Sequence, residues 1–125
     1  MKSRSFKELE AWKKARDLRK EISTLTKSFP KEEKYRLVDQ MVRASRSVTA
    51  NIAEGYGRFH YQENVQFCRQ SRGSLTELQD HLTVALDEEY ITEEIHTVYD
   101  DKAEECIRIL NGYINFLLRS KQENP

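Results

Sequence analysis

The side chains that could do covalent or metal chemistry in this sequence are few and scattered. Glu93 and His96 form a single Glu-x-x-His pair. Carboxylate-bridged di-iron bundles need such a pair on each of two helices, with further inward glutamates, and the second pair is missing. His60, His81 and His96 fall in different segments and read as solvated surface groups. Cys68 and Cys106 lack CxxC spacing and sit on apolar stripes. They read as buried reduced thiols, since a disulfide would be unusual in a cytoplasmic protein. Gly55-Tyr56-Gly57-Arg58 has no Gly-Lys-Ser/Thr ending, which a phosphate-cradling loop requires. No serine stands in a nucleophile motif. The expectation is a non-enzymatic protein with no cofactor and no metal.

Recognition chemistry is better represented. At 100° per residue, Arg36, Gln40, Arg43, Ser47, Asn51 and Glu54 fall within about 80° of one another, opposite an apolar stripe. Arg58 follows one turn later. Arginine, amides and serine suit directed hydrogen bonds, and the planar fork of arginine takes carboxylate or phosphate at two points. Three readings stay open for this face. It is an ordinary exposed surface, a polar subunit contact with Arg43 and Glu54 paired to a neighbour, or a nucleic-acid face with Arg36 and Arg43 on phosphates. Lys13, Lys20 and Lys27 are spaced by seven, with Arg16 nearby; they form a basic outer ridge. Glu94, Asp101 and Glu105, with Glu104 beside them, form an acidic one. Gly55-Tyr56-Gly57-Arg58-Phe59-His60-Tyr61 mixes aromatics with a base; such groups stack on unpaired bases or, more commonly, pack the end of a bundle.

The elements that must carry these residues are helices. Apolar residues recur at three- and four-residue steps. The stripes are Phe6, Leu9, Trp12, Ala15, Leu18, Ile22, Leu25, Phe29; then Leu37, Val38, Met41, Ala44, Ser45, Val48, Ile52. Next come Cys68, Ser71, Leu75, Leu78, Leu82, Ala85; then Ile95, Tyr99, Ala103, Cys106, Ile107, Leu110, Tyr113, Ile114, Leu117. That period is helical, and no segment alternates with period two. Helices are predicted over about 6–28, 30–54, 61–88 and 93–120. Pro30 suits a first helical position. Gly55 and Gly57 suit a left-handed C-cap. Thr92 suits an N-cap, with Glu93 and Glu94 in the first turn. Gly73 lies inside the third helix, where it costs about 1 kcal/mol against alanine, so a close helix contact is expected there. Gln122 to Pro125 are expected to fray. Short connections make successive helices antiparallel neighbours. The fold class is all-α, an up-down-up-down antiparallel four-helix bundle, one domain over residues 1–125.

The 125 residues carry 21 Lys+Arg and 21 Asp+Glu, with 34% charged and 38% apolar. An average domain is about 25% charged and 45–50% apolar, so the chain is polar, but its periodicity argues against disorder. No window approaches the ~18 apolar residues of a membrane span, and Met1 to Trp12 holds no apolar signal core. A cytoplasmic location without membrane contact is expected. The zero net charge hides a division. Residues 1–58 hold 15 basic and 8 acidic side chains, +7; residues 59–125 hold 6 and 13, −7. The two ridges read as solvated faces, as pairs within the chain because helices 1 and 4 should be neighbours, or as a head-to-tail subunit contact that unlike charges would steer, each exposed pair adding only about 0–1 kcal/mol.

A family likeness runs through the same residues. Phe6-x-x-Leu9-x-x-Trp12-x-x-Ala15 opens the chain, and Phe29-Pro30-x-x-Glu33-x-Tyr35-x-Leu37 leads into the second helix. Arg43-Ala44-x-x-Ser47-Val48-x-Ala50-Asn51-Ile52-Ala53-Glu54-Gly55-Tyr56-Gly57-Arg58 follows, then Phe67 and Gly73-Ser74-x-x-Glu77-Leu78. The chain resembles the four-helix bundle family of 23S rRNA intervening-sequence proteins, once labelled S23 ribosomal proteins, and is distantly similar to the accessory protein of diversity-generating retroelements. The resemblance implies a homopentameric ring of bacterial bundles and a gene often placed within a 23S rRNA insertion. The resemblance suggests an assembly or adaptor role, with RNA or another protein as partner; the alternative is a direct RNA- or other nucleic-acid-binding protein that uses the basic helix 1 ridge and the helix 2 arginines. The chain departs from the pattern at Thr49, where the family often has proline, and in its neutral net charge.

Overall fold

The computed structural model describes residues 5–123. Four helices account for most of them: α1 (Glu10–Thr26), α2 (Leu37–Gly57), α3 (Tyr61–Asp87) and α4 (Glu93–Glu123). Helices α1–α2, α2–α3, α3–α4 and α4–α1 touch, while the diagonal pairs do not. The bundle is therefore a square with α1 and α3 at opposite corners. Cross-links fix the antiparallel sense. Ser71 and Ser74 reach Val48 and Ser47; Arg72 and Gln79 reach Asn111 and Glu104; Lys14 and Glu21 reach Glu105 and Lys102.

The core follows the predicted stripes except at their outer ends, where Phe6 is outside it and Ile95 is exposed. Ile22, Met41, Ile52, Leu75, Leu78, Leu82 and Leu110 are among its largest fully buried side chains. Burying such a side chain is worth about 1.5–3 kcal/mol. The buried side chains of Thr26, Ser45, Thr49, Asn64 and Ser71 are bonded, as burial requires. The Ser71 hydroxyl donates to the Val48 carbonyl at 2.7 Å, joining α3 to α2. The Thr26 hydroxyl donates to the Ile22 carbonyl at 3.0 Å.

Several helix ends differ from the predicted ones. Residues 6–8 form a separate 3-10 turn capped by Ser5, and extended Leu9 breaks it from α1. The second helix starts at Leu37 rather than residue 30. Lys31–Glu33 is a 3-10 turn, and Arg36 stands at φ −122°, ψ −106°, which no helix accommodates. The Glu33 carboxylate explains the delay. It accepts from the Leu37 N–H at 3.3 Å and from the Tyr90 hydroxyl at 2.7 Å. One side chain thus caps α2 and ties it to the α3–α4 connection, beside the Phe29–Tyr90 ring pair.

Gly55 and Gly57 are not the C-cap; both lie within α2, and the left-handed residue is Phe59 at φ 54°. Helix α3 closes the same way, with Glu89 at φ 63° and Tyr90 N–H bonded to the Ala85 carbonyl at 2.9 Å, a Schellman ending. The expected close approach at Gly73 is also elsewhere. A Cβ on Gly73 would meet nothing within 4 Å, whereas one on Gly55 would lie 2.8 Å from Asn64 Oδ1 and 2.9 Å from Phe67 Cβ. Gly73 faces outward from α3; Gly55 is where α2 and α3 cross most tightly. The Thr92 cap is present, accepting from the Ile95 N–H at 3.2 Å. Helix α4 continues through Gln122 and Glu123; Asn124 and Pro125 lie outside the described residues. Among the described residues no helix is long and apolar enough to cross a membrane.

Candidate interaction surfaces

The polar stripe of α2 divides when α3 packs beside it. Ser47 and Asn51 are half-buried against α3, not opposite the core as the helical wheel suggested. Asn51 Nδ2 donates to the Ser47 carbonyl and hydroxyl, both at 2.9 Å, and Ser74 Oγ donates to Ser47 Oγ at 3.0 Å. These small polar groups staple α2 to α3. Arg36, Gln40, Arg43 and Glu54 remain exposed. Arg43 is 78% exposed and pairs with Asp39 at 3.7 Å. Glu54 binds Arg58 at 3.4 Å, and Arg58 also meets Glu63 at 3.8 Å and lies over the Phe67 ring. Arg58 is therefore largely committed within the chain.

Helix α1 carries its charges on two sides. Lys13, Arg16, Lys20 and Lys27 are exposed, as the spacing predicts. Arg19, half-buried, points the same way and donates to Thr49 Oγ1 of α2 at 3.0 Å. Thr49 is helical and supplies a cross-link where the family pattern has proline. Lys14 and Glu21 face α4 instead, pairing with Glu105 at 3.7 Å and Lys102 at 2.9 Å. A cavity of about 110 Å³ opens on this seam, also lined by Asp17 and Cys106. Part of the acidic ridge is thus spent inside the chain, because α1 and α4 are neighbours. Glu104 accepts from Gln79 of α3 at 2.7 Å, while Glu94 and Asp101 stay exposed.

Phe59 does not pack the end of the bundle. It is 87% exposed, held out by its left-handed backbone, with Tyr56 beside it at 6.2 Å between ring centroids. Sequence reasoning missed the exposed apolar residues of α4: Ile95, Val98, Phe116 and Leu118. The signal was present, because Val98 and Phe116 lie on the same wheel direction as Glu105, outside the core-facing sector. That direction is the α1 side of α4, since Glu105 pairs with α1.

The titratable groups in the interior are quiet. Burial pushes the Cys68 thiol up to about 12 and the Cys106 thiol up to about 11. Cys68 donates to Asn64 Oδ1 at 3.5 Å, and Asn64 in turn donates to the Tyr113 hydroxyl at 3.1 Å. Both cysteines are free and buried. His81 pairs with Glu77 at 3.0 Å, with its side chain mostly covered rather than solvated. His96 Nε2 is buried without a hydrogen-bond partner. Among the described residues no group of three or more histidines, cysteines or acids could hold a metal ion.

Comparison with known proteins follows this geometry. No curated protein matches the chain. The crystal structure of a protein of unknown function from the S23 ribosomal protein family of Bacteroides thetaiotaomicron VPI-5482 is similar in fold, with a TM-score of 0.77 at 22% identity, covering 84% of this chain and 95% of that one. The family of 23S rRNA-intervening sequence proteins matches residues 7–112, and with the bundle intact across that whole span, the chain belongs to that family.

Proposed function

We propose that the protein is a non-enzymatic assembly module that associates head to tail with copies of itself into a closed ring, five-membered by its family likeness, and serves as an adaptor. One observation carries this reading: large apolar side chains stand exposed on two separate parts of the bundle. Phe59 projects from the α2–α3 turn at one end, and Val98 and Phe116 lie along α4. Two unlike surfaces make a heterologous contact, which closes as a ring when the rotation allows. Exposed aromatics are the usual anchors of such contacts. Phe59 also occupies a backbone conformation that costs a non-glycine residue roughly 1–2 kcal/mol, so its exposure is held by the fold against a local cost.

Size exclusion with light scattering tests the reading at micromolar concentration. The wild-type chain elutes as an oligomer, and Phe59→Gly and Phe116→Ser shift it toward monomer. Phe59→Gly is the sharper variant. Glycine relieves the left-handed strain, so the monomer fold gains about 1 kcal/mol while association is lost. A wild-type monomer at these concentrations would refute the ring.

A further inference from the structure

The bundle sets the helix 1 ridge beside Arg46 of α2. At 100° per residue, Lys13, Arg16, Arg19, Lys20 and Lys27 occupy a sector of about 120° on α1, while Glu10, Asp17 and Glu21 crowd into about 40°. The structure orients these sectors. Glu21 is bonded to α4 and Arg19 to α2. Thr49, which receives Arg19, donates its own hydroxyl to the Arg46 carbonyl one turn away at 3.1 Å. Arg46, about 60° from Thr49 on the wheel and exposed, therefore borders the same face, whereas Arg43 lies about 40° from Ser47, on the α3 side.

Six cations thus share the α1–α2 face, Lys13, Arg16, Arg19, Lys20, Lys27 and Arg46, with two adjoining acids, Asp17 one turn from Lys13 and Lys20 and Asp39 beside Arg46. Arg16, in the middle of the α1 sector, spreads over the Trp12 ring and meets Asp17 at 3.8 Å. Lys13, Lys20, Lys27 and Arg46 make no ion pair among the described residues. None of the strongly exposed apolar residues lies here: Phe59 and Tyr35 stand at the ends of the bundle, Val84 on α3, and the others on α4. A protein contact concentrates aromatics and excludes charge at its centre. A nucleic-acid contact is polar and strongly positive. This face has the second composition.

We propose that the α1–α2 face binds the phosphodiester backbone of a nucleic-acid duplex, through Lys13, Lys20 and Lys27 on α1 and Arg46 on α2. Seven-residue spacing sets the lysines about 10 Å apart along the helix. The face offers no exposed aromatic on which unpaired bases could stack, which favours a duplex over a single strand. The inference is independent of ring formation, which uses other surfaces.

Fluorescence anisotropy with RNA and DNA duplexes of one sequence tests it, beside the single strands and polyglutamate. With about six phosphates engaged, affinity for a duplex falls about 1,000-fold between 50 and 200 mM salt. Lys20→Gln/Arg46→Gln lowers the slope of log K against log salt by about 2 and leaves the circular dichroism spectrum and oligomer size unchanged. Either duplex behaving so supports the proposal and identifies the source. Absence of duplex binding at 50 mM salt overturns it, as does an unchanged slope in the double variant. Binding confined to single strands places the contact at the Phe59 corner instead and overturns it. Polyglutamate binding as tightly as duplex, or a double variant that changes oligomer size, makes the face a protein contact and also overturns it.

Discussion

The same substitution at two glycines of this bundle should have opposite signs. Glycine inside a helix costs about 1 kcal/mol relative to alanine, and neither Gly55 nor Gly73 has a positive φ. Alanine is therefore locally favoured at both. At Gly73 a Cβ meets nothing within 4 Å, so Gly73→Ala should stabilise by about 0.5–1 kcal/mol. At Gly55 it would stand 2.8 Å from Asn64 Oδ1, 2.9 Å from Phe67 Cβ and 3.1 Å from the Asn64 carbonyl. Carbon atoms prefer about 3.5–4.0 Å. The neighbours cannot swing away cheaply: one atom is backbone, one is a Cβ, and the Asn64 amide is held by Tyr113 and Cys68. Helix α3 must shift by roughly half an ångström, and overpacking of this kind costs about 1–3 kcal/mol. Subtracting the propensity gain leaves Gly55→Ala destabilised by up to about 2 kcal/mol. The two variants should differ by about 2 kcal/mol, near 1 M in urea midpoint, followed by circular dichroism at one protein concentration. Equal midpoints would refute the claim that α2 and α3 make their tight crossing at Gly55.

Tyr90→Phe removes the hydroxyl that holds Glu33 at 2.7 Å and should cost about 1–2 kcal/mol; amide exchange should rise in residues 30–37 before it rises in α3, and uniform exchange would count against the tie. Ser47→Ala removes the acceptor shared by Asn51 and Ser74. Stability should fall by about 1 kcal/mol with oligomer size unchanged; dissociation of the oligomer would instead return that part of the stripe to a subunit contact. Alkaline pH should destabilise the fold. The Cys68 and Cys106 thiols are raised from 9.0 to about 12 and about 11 by burial, so above pH 9 the unfolded chain releases protons that the folded chain keeps. Their stabilising effect is complete below pH 9 and is lost as pH rises through the folded values. Cys68→Ala should flatten the urea midpoint between pH 9 and pH 11 relative to wild type, and an unaltered pH profile would count against thiol burial as its cause.

The helix-bearing segments were legible because their period is a local property. Leu75, Leu78 and Leu82 recur at helical steps whatever packs against them, and all three are fully buried. Thr92 was legible for the same reason, since a cap bonds within one turn. The start of α2 was not, because Glu33 is engaged by Tyr90, 57 residues away. The candidate surfaces split along the same line. Exposure of Lys13, Lys20 and Lys27 followed from a wheel, but which helix 2 arginine stands beside them, Arg46 rather than Arg43, needed α2 placed beside α1. Ser47 and Asn51 looked outward on the wheel, yet the square arrangement turned that side against α3.

By itself, the sequence determined four amphipathic helices, their order, their family and the +7/−7 division of charge, all of which depend on spacing along one chain. Tertiary structure alone decided which glycine is crowded, which aromatic stands in solvent and which charges share a face. Those depend on how the flanks of neighbouring helices meet, and a helix's own period specifies only the side that faces the core.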